Sequence, residues 1–313
     1  MNILILGAAG FIGTNLTIQL AKSSKNKIRL VDKNLSYFKH IEKMGFTNIE
    51  MMKSNLDEKT NFNTLLQKQD IVYHLISTTV PTTSNQYISL ELQSNIILSS
   101  ILFESCVKCG VKKVVFISSG GTVYGKEVNC PLSEDTPTNP ITSYGVQKIT
   151  IEKLLYLYRY MYGLDYRIIR LANPYGPFQR PNGILGAVTT FTYKVLKKED
   201  IEVYGDGSVI RDFIYIDDAI RGILNIVNGE AERKTFNLGC GYGTSIKELI
   251  EKVQKVIGCN CNIIYKKGRK VDVPVNYLDI TRYEKNYGKL NPINLEEGIQ
   301  KTADFMRILY GLK

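Results

Sequence analysis

Tyr144 and Lys148 stand four residues apart in Ser143-Tyr144-Gly145-Val146-Gln147-Lys148, so a helix would carry both on one face. A lysine ammonium beside a phenol favours the phenolate and is expected to draw its pKa down from about 10. Such a phenolate accepts the proton of a substrate hydroxyl, provided a hydride acceptor lies next to it. Just upstream, Ser118-Ser119-Gly120-Gly121-Thr122-Val123-Tyr124 offers further hydroxyl groups.

A seat for a hydride carrier is legible at the start of the chain. Asn2 to Leu6 is a short apolar run of the kind buried in a parallel sheet. Gly7-Ala8-Ala9-Gly10-Phe11-Ile12-Gly13 follows at once, and Thr14 to Lys22 reads as a helix. Glycines between a strand and a helix let the backbone approach a pyrophosphate, which gains from the N–H groups of the helix start. A second apolar run, Ile28 to Val31, ends in Asp32. A carboxylate there accepts hydrogen bonds from an adenosine ribose and repels a 2′-phosphate, which favours NAD; Lys33 beside it leaves room for NADP.

Other chemistries find less support. The six cysteines include Cys106-Val107-Lys108-Cys109 and Cys259-Asn260-Cys261, but the only histidines are His40 and His74, and no metal set emerges. A reducing, cytoplasmic setting fits this cysteine usage. His74, at a strand end, is expected to be structural. The net charge of +10 comes from scattered lysines without interleaved aromatics, so no nucleic-acid partner is expected. No stretch approaches the ~20 apolar residues of a membrane span. The apolar N-terminus has no basic leader, and no signal peptide is expected.

Strand patterns at 2–6, 27–31, 47–51, 70–75, 112–118 and 165–171 alternate with helical patterns near 11–22, 36–44, 60–68, 88–109 and 143–162. This alternation predicts an α/β fold, a Rossmann-type doubly wound parallel sheet with its ligand crevice at the carboxyl ends of the strands. After Pro174 the elements shorten and arginine-bearing loops appear. The expected division is a dinucleotide domain at 1–173, with about 209–240 returning to it, and a smaller C-terminal α/β substrate domain at about 174–208 and 241–313. Leu154 to Tyr162 is apolar or aromatic nearly all round its helix, which predicts burial against a second copy and hence a homodimer.

The ordered set G-x-x-G-x-x-G, Ser-Ser-x-x-x-x-Tyr-Gly and Tyr-x-x-x-Lys resembles the extended short-chain dehydrogenase/reductases, and among them the NAD-dependent nucleotide-sugar epimerase/dehydratase family. The likeness continues through Arg170-Leu171-Ala172-Asn173-Pro174-Tyr175-Gly176-Pro177, Tyr204-Gly205-Asp206-Gly207 and Arg211-Asp212-Phe213-Ile214-Tyr215-Ile216-Asp217-Asp218 to Arg269-Lys270-Val271-Asp272. The resemblance implies that Tyr144 is the acid/base and that Lys148 binds the nicotinamide ribose and keeps Tyr144 ionised. It implies NAD contacts at Gly7, Gly10, Phe11, Ile12, Gly13, Asp32, Asn55, Leu56, Leu75, Ser77, Asn95 and Ser118. On the substrate side it implies Asn173, Val188, Glu202, Tyr204 and Asp272, with Arg211 and Arg269 on the diphosphate, where guanidinium donates paired hydrogen bonds.

One departure stands out: the family's catalytic serine or threonine aligns with Gly120, so Ser119 or Thr122 must supply that hydroxyl, with Thr122 favoured. No carboxylate occupies positions 121 or 122, which argues against elimination and decarboxylation and for simple oxidation and re-reduction. The implied activity is an NAD-dependent UDP-sugar 4-epimerase. Alternatives are an NAD(P)H-dependent nucleotide 4-keto-6-deoxysugar reductase and a non-catalytic dinucleotide-binding regulator. Glucose, N-acetylglucosamine and glucuronate all stay open as the sugar; Asn276 leaves room for an N-acetyl group, and Arg180 lies near where a uronate would be read.

Overall fold

In the computed structural model, which describes residues 1–79, 81, 84–126, 129–181, 186–269 and 272–312, the strand–helix alternation is realised element by element. The elements up to residue 171 are β1 (Asn2–Leu6), α1 (Phe11–Ala21), β2 (Lys27–Asp32), α2 (Lys39–Glu42), β3 (Ile49–Lys53), α3 (Phe62–Leu66), β4 (Ile71–His74), α4 (Ile88–Leu92), α5 (Leu98–Lys108), β5 (Lys113–Ser119), α6 (Ser143–Tyr162) and β6 (Asp165–Leu171). Then come β7 (Asn173–Tyr175), α7 (Ala187–Leu196), β8 (Ile201–Tyr204), β9 (Ile210–Arg211), β10 (Phe213–Tyr215), α8 (Ile216–Asn228) and β11 (Thr235–Leu238). The chain ends with β12 (Thr244–Ser245), α9 (Ile246–Ile257), β13 (Ile263–Lys266), β14 (Val275–Asn276), α10 (Thr281–Tyr287) and α11 (Leu295–Tyr310).

A seven-stranded sheet runs in the order β11-β6-β5-β4-β1-β2-β3, with β3, β2, β1, β4 and β5 paired in parallel. Ile3, Leu4, Ile5 and Leu6 are wholly buried, as a central parallel strand covered on both faces requires. The fold class is therefore the α/β, Rossmann-type arrangement expected from the pattern.

Three local expectations are refined. β3 lies two residues later than the apolar run predicts, because pairing with β2 aligns Ile49 with Ile28 and Lys53 with Asp32. The 36–44 helix opens as a 3-10 turn at Leu35–Phe38, with the Asn34 side chain accepting from Ser36 N, and only Lys39–Glu42 is α-helical. The 88–109 helix is broken by a π-turn at Gln93–Ile97, where the Asn95 side chain bonds to a neighbouring loop. Such turns inside helices recur at functional sites.

The chain forms two compact units. The first comprises Met1–Ser119, Thr142–Ile169 and Glu230–Thr235; the second comprises Gly120–Ile141, Arg170–Gly229 and Phe236–Lys313. Residues 120–141 and 209–229, which the sequence pattern assigns to the dinucleotide domain, lie in the second unit, where β10 pairs with β7 and α8 packs on both. The first unit's core joins Leu4, Leu6, Val72, Phe103, Phe116 and Leu155. In the second, α7, α9 and α11 pack together, with Leu196, Ala303 and Met306 in contact. Among the described residues no helix is long and apolar enough to cross a membrane, and no group of His, Cys, Asp or Glu could hold a metal ion.

Candidate active site

The first unit carries the glycine turn. Gly7 has φ +82°, a left-handed conformation that glycine adopts without strain, and its N–H donates to Val31 O at 2.9 Å. A Cβ at Gly13 would lie 2.7 Å from the Ala8 backbone and from Gly7 O, and one at Gly10 would lie 3.2 Å from Gly7 O. The chain thus comes closer to itself than any side chain permits. Phe11, Ile12 and Gly13 open α1, where the helix offers their N–H groups no acceptor. Asp32 Oδ2 accepts from Ala9 N at 3.0 Å, which fixes the carboxylate against the turn. A dinucleotide fits this cradle: helix-start donors for the pyrophosphate, glycines for close approach, and a carboxylate for a ribose.

The remaining residues expected at the cofactor have mixed surroundings. Asn55 is exposed and Leu56 is half-buried against the core. Ser77 Oγ donates to Thr79 O at 2.7 Å. Asn95 is spent on the loop after β4, its Oδ1 accepting from Thr78 N at 3.0 Å and its Nδ2 donating to Thr78 Oγ1 at 2.7 Å. Leu75 N donates to Leu6 O, which ties that strand end to β1. Ser118 is buried and gives its hydroxyl to Glu152 Oε1 at 2.5 Å.

Tyr144 and Lys148 do share a face of α6. Thr142 caps the helix by accepting from Gly145 N at 3.1 Å, and Gly163 ends it at φ +74°. Lys148 Nζ donates to Ile117 O at 2.9 Å and lies 5.4 Å from the Tyr144 ring centroid. The expected depression of the phenol is not found. Burial pushes Tyr144 up to about 12, and a hydrogen bond with Ser119 pulls the other way. The same burial draws Lys148 down to about 8, against the attraction of Glu152. Spacing puts the pair on one face; it says nothing of what leaving water costs each group. His74 is buried, its Nε2 2.8 Å from Ser99 Oγ, and burial draws it down to about 3, so it stays neutral.

The hydroxyl expected near residue 120 has two candidates. Ser119 is the one hydrogen-bonded to Tyr144, in the first unit. Thr122, in the second, has a buried Oγ1 with no hydrogen-bond partner among the described residues. A Cβ at Gly120 would lie 2.6 Å from Leu278 Cδ1 and 3.2 Å from Arg170 O, and Asn276 Nδ2 donates to Gly120 O at 3.2 Å. Leu278 and the Arg170 carbonyl therefore fill the space a residue-120 side chain would need. Asn276 is itself buried.

The second unit gathers the other expected residues. Asp212, which sequence reasoning gives no role, is fully buried and accepts from Cys240 N at 2.8 Å and from Gly241 N and Leu278 N, each at 3.3 Å. Burial pushes it up to about 6. Its own carbonyl accepts from both Asn173 N, at 3.0 Å, and Asn173 Nδ2, at 2.9 Å, so Asp212 sets where Asn173 sits. Arg211 is held by Ile210 O at 2.8 Å and Val273 O at 2.6 Å, and its Nη2 lies 3.9 Å from Asp272 Oδ1. The Arg269 guanidinium stacks 3.4 Å over the Tyr204 ring, and Glu202 pairs with Lys266 at 2.7 Å on the neighbouring strand. Val188 is wholly buried in the first turn of α7. Lys270 and Val271, inside the arginine motif, lie outside the described residues.

A helix-borne phenol and ammonium, in the same unit as a glycine turn shaped for a dinucleotide, are what an enzyme that moves a proton and a hydride together requires. Residues 3–239 match the family described as the NAD dependent epimerase/dehydratase family. UDP-glucose 4-epimerase of Mycolicibacterium smegmatis is 32% identical over 314 residues, covering 98% of this chain and 99% of that protein. The structure of UDP-glucose 4-epimerase from Thermotoga maritima with UDP-glucose matches with a TM-score of 0.91 and 32% identity, over 99% of this chain and 100% of that one. UDP-glucuronic acid 4-epimerase from Bacillus cereus, in complex with UDP-glucuronic acid and NAD, matches with a TM-score of 0.89 and 27% identity over 99% and 100%. The chain belongs to the NAD dependent epimerase/dehydratase family.

Proposed function

We propose that this protein inverts the C4 configuration of a UDP-sugar, using NAD that it keeps throughout the cycle. It is an NAD-dependent UDP-sugar 4-epimerase, an isomerase. The observation that carries this reading is the Tyr144–Lys148 face of α6, with Ser119 on the Tyr144 hydroxyl, in the same unit as the glycine turn. When bound, NAD supplies a hydride acceptor and a positive charge on its nicotinamide ring. Gly7, Gly10, Phe11, Ile12 and Gly13 hold its pyrophosphate, Asp32 its ribose, and Asn55, Leu56, Leu75, Ser77 and Asn95 line the rest of the seat. Lys148 holds the second ribose and supplies positive charge to Tyr144.

Tyr144 Oη takes the proton of the sugar 4-hydroxyl as C4 is oxidised, and returns it when the 4-keto sugar is reduced on its other face. Proton and hydride both come back, so the cycle consumes nothing. Ser119, already bonded to Tyr144, replaces the hydroxyl that Gly120 lacks; Thr122 Oγ1, without a partner among the described residues, is the second candidate. Arg211 and Arg269 grip the diphosphate, Glu202 and Tyr204 line the base, and Asn173, Val188 and Asp272 complete the nucleotide site. A tight nucleotide grip lets the sugar turn without leaving. The first unit, with the glycine turn, is the NAD domain and the second the nucleotide-sugar domain.

The purified protein, incubated with UDP-glucose, UDP-N-acetylglucosamine or UDP-glucuronate and no added cofactor, is expected to convert at least one into its C4 epimer, read by proton NMR. A reductase gives no turnover without NAD(P)H, and that outcome overturns the assignment. We also infer a homodimer. Tyr156, Leu157, Tyr160, Met161 and Tyr162 form an exposed apolar face on α6, with Tyr160 78% exposed. Light scattering at micromolar concentration is expected to give twice the 35.4 kDa chain mass, and Y160D to give the monomer. Six free thiols fit the cytoplasm as its location.

A further inference from the structure

Glu152 is a carboxylate with no part in the reaction as written, yet it is only 5% exposed. It follows Lys148 by four residues on α6, and Lys148 is 6% exposed, so the two occupy one buried face a turn apart. A charge taken out of water is costly, and an opposite charge brought in with it offsets part of that cost. Two consecutive residues of β5 fix this pair. Ile117 O accepts from Lys148 Nζ at 2.9 Å, and Ser118, 3% exposed, donates its hydroxyl to Glu152 Oε1 at 2.5 Å.

We propose that Glu152 is a positioning residue: anchored by Ser118, it keeps Lys148 charged beneath Tyr144. The catalytic consequence rests on the epimerase reading; the charge pairing does not. Among the described residues, several titratable groups lie around the pair. Tyr144 shares the helix, His74 of β4 faces Lys148, and Tyr166 of β6 faces Glu152. On the helices packed against α6, Glu91 reaches Ser143 at its start, before the pair, and Glu104 lies 3.4 Å from Tyr158 Oη, beyond it. Neutral His74 adds no compensating charge. Burial drives Lys148 towards the neutral amine while the Glu152 carboxylate opposes it, which leaves the ammonium populated up to about pH 8.

The test reads the Lys148 midpoint from its 13Cε shift in NAD-loaded protein with labelled lysine, the signal assigned by its loss in K148M. In E152Q the midpoint is expected to fall by about one pH unit or more, at least a tenfold loss of proton affinity. The alkaline limb of the kcat profile should move down by the same amount, with KM for the UDP-sugar little changed. E152D, which keeps the charge on a shorter arm, should recover part of both shifts. A folded E152Q with an unchanged Lys148 midpoint overturns the proposal. Should E152Q not fold, E152D decides: a folded E152D with an unchanged Lys148 midpoint overturns the pairing. A lowered midpoint in an E152Q whose parent epimerises no UDP-sugar would refute the reaction and support the pair. Epimerisation with an unchanged midpoint refutes the pair alone.

Discussion

Y144F is expected to fold, to retain NAD and to lose about a hundred- to ten-thousandfold in kcat, the span that a positioned acid/base contributes. Phenylalanine keeps the ring, and with it the packing at the start of α6. It removes only Oη and the hydrogen bond with Ser119. The cap at Thr142 and the Lys148 contact to Ile117 do not involve the hydroxyl, so the helix has no reason to move. The measurement pairs NMR rates on the active UDP-sugar with the NAD released on denaturation. Full NAD occupancy with a collapsed rate assigns the proton transfer to Tyr144. An unchanged rate removes Tyr144 from the reaction, and lost NAD would mean that the hydroxyl serves binding instead.

The same residue shows what a sequence carries and what it does not. The four-residue interval between Tyr144 and Lys148 is local, and a helix converts it into a shared face whatever the surroundings. The energetic part is not local. The phenol sits where burial raises it to about 12, a fact set by β5 and the helices around it rather than by spacing. The glycine turn is legible for the opposite reason. Gly7, Gly10 and Gly13 answer to contacts within the turn and the adjoining strands, so their types record the geometry directly. Continuous apolar runs mark β1 and β4 because central parallel strands are covered on both faces.

Long-range polar contacts leave no such trace. Ser118 meets Glu152 across 34 residues, and Asp212 collects Cys240, Gly241 and Leu278 from two later segments. The break at Gln93–Ile97 carries no proline or glycine to announce it, and its residues remain helical. Gly120 is informative only in part: its type announces a missing hydroxyl, whereas the reason, Leu278 and the Arg170 carbonyl in that space, comes from elsewhere in the chain.

G13A tests the cradle by filling it. The added methyl would lie 2.7 Å from Ala8 Cα, Ala8 O and Gly7 O, and all three are backbone atoms with no rotamer to yield. Either the start of α1 moves away from the turn or the turn opens, and each displaces the Phe11–Gly13 N–H groups from where a pyrophosphate must meet them. Overpacking of this kind costs about 1–3 kcal/mol, so NAD affinity should fall by about five- to 150-fold. The remainder of the sheet is untouched, and the seven strands keep their order. Purified G13A should therefore melt cooperatively yet carry little NAD, with turnover restored in part by adding NAD in excess. A variant that purifies with a full complement of NAD would show that the pyrophosphate does not lie on this turn. The assignment of the first unit as the cofactor's seat would then fail with it.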